Sequence, residues 1–362
     1  MMILIALLLA LSLLAVGALW LLSPGKPYPL LDQSGKPLAG GLVEKTRVPI
    51  HGMEQGMFLQ SQDETNPVLL FLHGGPGIPE YWLTRRYPTG LEALFTVCWW
   101  EQRGSGLSYR ADLPPEAVTV EQLIADTLAV THYLRERFGR ERITLMAHSG
   151  GSFYGIQAAA RAPELYQAYV GMEQISYQLQ SERLAYDYML ARFQERGERS
   201  MVRRLEAARP APDGTLPAAY YALRDPAMHR LGIGTTREMR SVITGVFLPS
   251  LLSPVYTVGE KVALWRGKFS TGARLRDTLF ATDLTRQVTE LRLPTYFLHG
   301  RYDYTVSYSL AKAFYAQIKA PQKGFYTFEQ SAHSPLFEEP ERLRRILLED
   351  VLAGRTSLAN AG

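Results

Sequence analysis

A serine hydroxyl is a poor nucleophile unless a neutral imidazole can take its proton, and the imidazole in turn needs a carboxylate to fix its tautomer. The sequence offers Ser149, Asp303 and His333, in the chain order nucleophile, acid, base. Ser149 ends the apolar run Ile143 to Ala147 and is followed by Gly150-Gly151, then by an alanine-rich helical pattern from Tyr154 to Ala160. A strand that becomes a helix so abruptly strains the backbone of its turning residue and lifts that side chain off the sheet. Such a turn needs small residues two places before and after it. Ala147 and Gly151 meet that demand around Ser149, whereas Tyr154 rules out the neighbouring Ser152. Asp303 follows the apolar stretch Thr295 to Leu298 through Gly300-Arg301-Tyr302, and His333 lies in the loop Gln330 to Pro335 just beyond Phe325 to Phe328.

Attack on a carbonyl builds an oxyanion, which needs N–H donors already in place. Gly150, directly after the nucleophile at a helix start, is one candidate. The second is expected in the loop His73-Gly74-Gly75-Pro76-Gly77, with Gly75 favoured over Gly74. The other histidines read structurally: His148 packs under the turn, His299 ends a strand and His73 fixes its own loop. His51, His132 and His229 belong to the surface or to loops. No two of the seven histidines have metal-ligand spacing, and the single cysteine, Cys98, sits in an apolar core run, so neither a metal nor a cofactor is expected.

These residues need a sheet to carry them. Val68 to Leu72, Phe95 to Trp100 and Ile143 to Ala147 are apolar at nearly every position, as expected for strands covered on both faces. Glu44 to Ile50 and Gly56 to Gln60 read as a hairpin turning at His51-Gly52. Ala168 to Met172, Thr295 to Leu298 and Phe325 to Phe328 complete eight strands, and Val120 to Phe138 is a helix by spacing. Strands alternating with helices imply an α/β fold with a mainly parallel sheet, whose ligands bind at the strands' carboxyl ends. All the candidate residues lie there. Between Ile175 and Leu291 no buried-strand run occurs, helical stretches such as Ser181 to Arg199 carry many aromatics, and a Pro-rich break spans Pro210 to Pro217. We read an inserted helical cap at 175–291 between two parts of one core, 43–174 and 292–355.

The chain of 362 residues is 46% hydrophobic and 20% charged, the balance of a globular protein with a large core. A net charge of +4 with scattered basic residues suggests no nucleic-acid partner. Met2 to Leu22 is almost unbroken apolar sequence, long enough as a helix to span about 30 Å. Trp20 fits an interfacial position, and no Lys or Arg precedes the run, which favours an uncleaved transmembrane anchor over a signal peptide. The expectation is a single-pass membrane protein with an anchor at 1–23 and a Pro/Gly-rich linker at 24–42, its orientation left open by mixed flanking charges.

His73-Gly-Gly-Pro-Gly77, Gln102-Arg103-Gly104-Ser105-Gly106, the Ser149 turn, Gly300-Arg301-Tyr302-Asp303 and the His333 loop together make the chain from Val43 to Leu352 resemble the proline iminopeptidase family of α/β-hydrolases. The resemblance implies an α/β-hydrolase fold and an enzyme that removes an N-terminal residue, often proline, from short peptides. Three departures stand out: Ala147 replaces a glycine, Glu101 replaces an aspartate, and Tyr304 stands where some members place an acid that binds the substrate amine. Glu173 and Glu182 are the candidates for that amine. The alternatives are a carboxylesterase or lipid-ester hydrolase, suggested by the aromatic cap, and a non-catalytic hydrolase-like binding protein.

Overall fold

The computed structural model describes residues 13–14, 16–211 and 214–360. Its centre is a sheet of eight strands: β1 (Leu42–Ile50), β2 (Met53–Ser61), β3 (Val68–Leu72), β4 (Thr96–Trp100), β5 (Ile143–His148), β6 (Tyr166–Met172), β7 (Thr295–Gly300) and β8 (Lys323–Phe328). They lie in the order β1-β2-β4-β3-β5-β6-β7-β8. The hairpin β1–β2 and the pair β2–β4 are antiparallel, and every later pair is parallel.

Successive side chains of a strand point to opposite faces, so the continuous apolar runs supply two cores at once. Leu70, Leu145 and Ala147 pack under α1 (Val120–Arg137) and α2 (Gly150–Arg161), against Leu123, Ile124, Phe153 and Ile156. Leu69, Phe71, Met146 and Val170 face the other way, onto Tyr256, Leu343 and Ile346. Helix α1 starts at Thr119, whose side chain accepts the Gln122 N–H. Helix α2 starts at Gly150 rather than near Tyr154, because its first turn is pressed onto β3. A Cβ on Gly151 would stand 2.4 Å from the Leu72 carbonyl oxygen.

The Gln102–Gly106 motif serves the fold. Arg103 reaches Asp126 of α1 through Nε at 2.6 Å and Nη2 at 3.0 Å, and Nη2 also meets the Ile50 carbonyl at 3.3 Å. Gln55 donates to the same carboxylate at 2.7 Å. One buried ion pair thus ties hairpin, sheet and helix together.

Between β6 and β7 the described chain is helical: α3 (Gln178–Glu195), α4 (Arg199–Ala207), α5 (Ala218–Leu231), α6 (Leu248–Leu252) and α7 (Val258–Ala281) are its longer regular segments. Met189, Phe193, Leu205, Tyr220 and Leu223 form a separate apolar cluster there. Residues 212–213 of the Pro-rich break lie outside the described residues.

The membrane expectation is corrected. Among the described residues no helix is long and apolar enough to cross a membrane. Residues 1–12 and 15 of the apolar run lie outside the described residues, and only 16–21 form a described helical stretch of any length. The following segment is also no free linker, because its polar groups find partners on the body. Lys261 Nζ donates to the Leu22 carbonyl at 3.2 Å and to Ser23 Oγ at 2.7 Å, the Tyr28 N–H donates to Tyr81 Oη at 2.9 Å, and Gln60 Nε2 donates to the Tyr28 carbonyl at 2.7 Å.

Candidate active site

Ser149 caps β5 with φ at +51°, a conformation that side chains rarely adopt. Its N–H is held by the Met172 carbonyl at 3.0 Å, so the strain is fixed by the neighbouring strand. The hydroxyl Oγ lies 2.8 Å from His333 Nε2, and His333 Nδ1 lies 2.8 Å from Asp303 Oδ2. Because Nδ1 donates to the carboxylate, a neutral ring leaves Nε2 free to accept the serine proton. Burial lowers the His333 pKa more than Asp303 raises it, which keeps the ring neutral near pH 7. Burial opposes ionisation of Asp303, but the charge and hydrogen bonds of His333 and His299 hold its carboxyl well below the usual range. Asp303 Oδ1 is satisfied by the Thr305 and Val306 N–H groups at 2.7 and 3.0 Å. The structure therefore brings Ser149, His333 and Asp303 into one hydrogen-bonded chain.

The two loops that carry base and acid are joined backbone to backbone. The Tyr302 N–H donates to the Ser331 carbonyl at 3.0 Å, and a Cβ on Gly300 would overlap the Ala332 carbonyl at 1.9 Å. Glu338 tightens the base loop by accepting the N–H groups of Ala332 and Ser334 at 3.0 and 3.2 Å.

Glu173 does not face a substrate, which corrects the expectation that it binds an amine. It is fully buried, lines neither cavity, and accepts the Gly300 N–H at 2.8 Å. Its other oxygen lies 2.8 Å from His299 Nε2 without a hydrogen bond, because that nitrogen donates to the Val306 carbonyl at 3.0 Å. Glu173, His299 and Asp303 bring ligand-type atoms within 4.8 Å of one another. Burial, reinforced by the Asp303 charge, pushes Glu173 well above the carboxylate range, so it holds the proton and Asp303 the charge. Burial alone lowers His299, yet Glu173, whenever it gives up its proton, and Asp303 outweigh it and raise the imidazole. The cluster is a proton-sharing brace beneath the acid.

His148 is paired more specifically than its place under the turn suggests. Nδ1 sits 2.8 Å from Glu80 Oε1, and Nε2 donates to the His333 carbonyl at 2.8 Å. Burial disfavours its charge, but Glu80 outweighs that and raises its pKa. Glu80 also accepts the Gly74 N–H at 2.8 Å, which removes Gly74 as an oxyanion donor. The N–H groups of Gly75 and Gly150 donate to no acceptor among the described residues, and a Cβ on Gly150 would stand 3.3 Å from the Gly75 nitrogen. The two donors therefore converge beside Ser149. His73 behaves as expected, with Nδ1 3.0 Å from the Gly74 carbonyl and Nε2 accepting the Gln102 N–H at 3.2 Å. His229 departs from the surface reading and is buried at the end of α5.

Two cavities, of about 250 and 350 Å³, open on either side of the hydroxyl and share Gly75, Ser149, Arg224, Asp225, Lys268 and Thr305. The first also contains His333 and an apolar wall of Trp82, Tyr87, Trp265 and Phe337. The second contains Gly150, Glu182, Tyr221 and Phe280. Glu182 reaches this cavity, but its oxygens are taken by Arg224 Nε at 2.7 Å, Tyr220 Oη at 2.8 Å and Gln178 Nε2 at 2.9 Å. Asp225 gives one oxygen to Arg224 Nη1 at 2.7 Å, and the other accepts no hydrogen bond among the described residues. Loss of water around its half-exposed side chain resists ionisation, yet Arg224 holds its pKa below the ordinary value. Tyr304, at the position where an acid was sought, stacks on Tyr188 with ring centroids 4.0 Å apart. Sequence reasoning missed Asp225, Lys268 and Glu80. Nothing in their spacing distinguishes them from solvated helix and loop charges.

Residues 67–340 match the family model described as the alpha/beta hydrolase fold. The chain is 31% identical over 291 residues to the Probable aminopeptidase YbaC of Bacillus subtilis (strain 168), covering 80% of this chain and 91% of that one. Among solved structures it is similar to the proline iminopeptidase from Mycobacterium smegmatis, with a TM-score of 0.64, 18% identity and coverage of 86% and 98%. It is similar also to a proline iminopeptidase-related protein from Thermus thermophilus, with a TM-score of 0.57, 23% identity and the same coverage. At such identities the two structures speak for the fold, while the family match and the Bacillus relative carry the assignment. The chain belongs to the α/β-hydrolase family.

Proposed function

We propose that this protein is a serine aminopeptidase that releases an N-terminal, proline-type residue from short peptides through an acyl-enzyme on Ser149. The observation that carries this reading is the hydrogen-bonded chain from Ser149 Oγ through His333 to Asp303, opening onto two cavities. In this scheme Ser149 Oγ attacks the scissile carbonyl carbon while its proton passes to His333 Nε2. Asp303 stabilises the imidazolium, and the N–H groups of Gly75 and Gly150 hold the oxyanion, each worth about 10²–10³ in rate. His333 then protonates the leaving nitrogen, so the leaving group occupies the cavity that His333 lines and the acyl group the one beside Gly150. Water, deprotonated by His333, releases the acid. The free oxygen of Asp225 takes the substrate amine, the role sought in Glu173 and Glu182. The segment 175–291 acts as the cap over both cavities. The name of the Bacillus relative, a probable aminopeptidase, agrees with this reading.

A panel of amino-acid anilides, with proline among them, assayed beside simple esters tests it. Anilide turnover abolished by a fluorophosphonate is expected, with Ser149→Ala and His333→Ala each losing at least about 10³-fold in kcat because the three groups act as a unit. Comparable turnover in Ser149→Ala rejects the mechanism. Ester turnover without any anilide turnover favours the second reading, a carboxylesterase, for which the apolar wall of the first cavity speaks.

A further inference from the structure

The constriction shared by the two cavities holds more charge than one substrate amine requires. Glu182 and Asp225 both engage Arg224, at 2.7 Å each, so two carboxylates answer that one guanidinium. The surplus negative charge faces Lys268, whose ammonium interacts with Asp225 and Arg224 through space yet has no hydrogen bond or ion pair among the described residues. When a substrate ammonium settles on Asp225, Lys268 loses the anion that compensates it.

Lys268 is also held in place. It lies on α7, where a Cβ on the preceding Gly267 would stand 2.6 Å from the Gly104 carbonyl, and Thr271 one turn on donates to that carbonyl at 2.9 Å. A Cβ on Gly77 would stand 3.3 Å from the Lys268 Cα, so the backbone of this lysine rests on the loop that carries Gly75. A lysine fixed over the oxyanion loop, lining both cavities and making no hydrogen bond among the described residues, is built to receive an anion. Loss of water pulls its pKa below the ordinary value, and an incoming carboxylate reverses that loss.

We propose that Lys268 is a carboxylate subsite, and that the substrates are very short peptides whose leaving amino acid bears a free α-carboxylate. The placement of that carboxylate on the leaving side rests on the aminopeptidase reading; the anion site itself does not. Dipeptides are the smallest such zwitterions: their ammonium meets Asp225, their carboxylate meets Lys268, and the scissile carbonyl between them faces Ser149.

The test compares a proline-led dipeptide with its C-terminal amide in wild type, Lys268→Met and Lys268→Arg. Wild type should favour the free acid in kcat/KM by at least about tenfold, chiefly through KM, as expected for a binding contact of about 1.4 kcal/mol. The ratio should fall to near one in Lys268→Met and survive largely in Lys268→Arg, with melting curves verifying that both variants fold. A wild-type ratio near one, or the same ratio in Lys268→Met, overturns the proposal. Inhibition of p-nitrophenyl acetate hydrolysis by the two compounds separates this idea from the reading beneath it. If neither compound is cleaved, the aminopeptidase assignment fails. The subsite then stands if the acid inhibits more tightly than the amide in wild type alone, and it falls if the two inhibit equally.

Discussion

His333 combines two opposing influences. Burial withholds the water that would stabilise an imidazolium, and Asp303 returns only part of that stabilisation, so the ring's pKa lies below its ordinary value. In the proposed mechanism activity requires the neutral ring, and therefore rises with pH through this pKa. We expect the acid limb of kcat/KM to have its midpoint below the 6.5 of a free imidazole, measured on the free enzyme with a neutral substrate. A midpoint above 6.5 would contradict this balance. Glu173 is a positioning residue whose neutral carboxyl resembles an amide. Glu173→Gln can keep the Gly300 bond, while Glu173→Ala strands a buried N–H at a cost of about 1–3 kcal/mol more. Urea unfolding of the two variants should show that gap. Ser149, Asp303 and His333 could be read from the chain because each ends an apolar run at the same edge of the sheet. Glu173 could be noticed but not understood, since its meaning depends on Gly300 and His299, more than a hundred residues away.

Packed elements leave no room for a side chain at Gly151. Gly151→Ala drives a methyl group against the Leu72 and His73 carbonyls, backbone that cannot move aside. We expect a loss of at least about 2 kcal/mol and of Ser149 labelling by a fluorophosphonate, because displacing α2 displaces the turn itself. Asp126→Ala should cost about 3–5 kcal/mol by leaving the Arg103 guanidinium buried without its partner, read as a lower denaturation midpoint. The strands were legible because covered strands are apolar at every position. Their order was not, since β4 precedes β3 across the sheet for reasons held in the crossovers. The start of α2 was missed because two glycines look like a turn; here they permit helix and strand to touch.

Across the whole molecule, buried ionisable groups set how stability responds to pH. Burial raises Glu101 to about 7, although Tyr256 and the Leu107 N–H favour its charge. Its unfolded value is about 4.5, so the stabilising effect of its proton is complete below that pH and is lost as pH climbs through 7. Glu101→Gln carries no such proton. Its stability relative to wild type should improve by up to about 3 kcal/mol between pH 4.5 and 7 and level off above, followed by melting temperature. No change in that difference with pH would refute the assignment. At this scale composition and motif order announced the α/β-hydrolase architecture, whereas the apolar N-terminal run led to a membrane assignment that no described helix supports.

The paired chambers around Ser149 have a kinetic corollary. On the proposed mechanism, once the first fragment leaves, the ester on the serine is flanked by one filled cavity and by a second, beside His333, that stands empty. Whatever nucleophile diffuses into that vacancy competes with water for the trapped acyl group. Added amino-acid amides should consequently be acylated at their amines, freeing the serine and yielding new dipeptide amides in proportion to their concentration, with catalysis running partly in the synthetic direction.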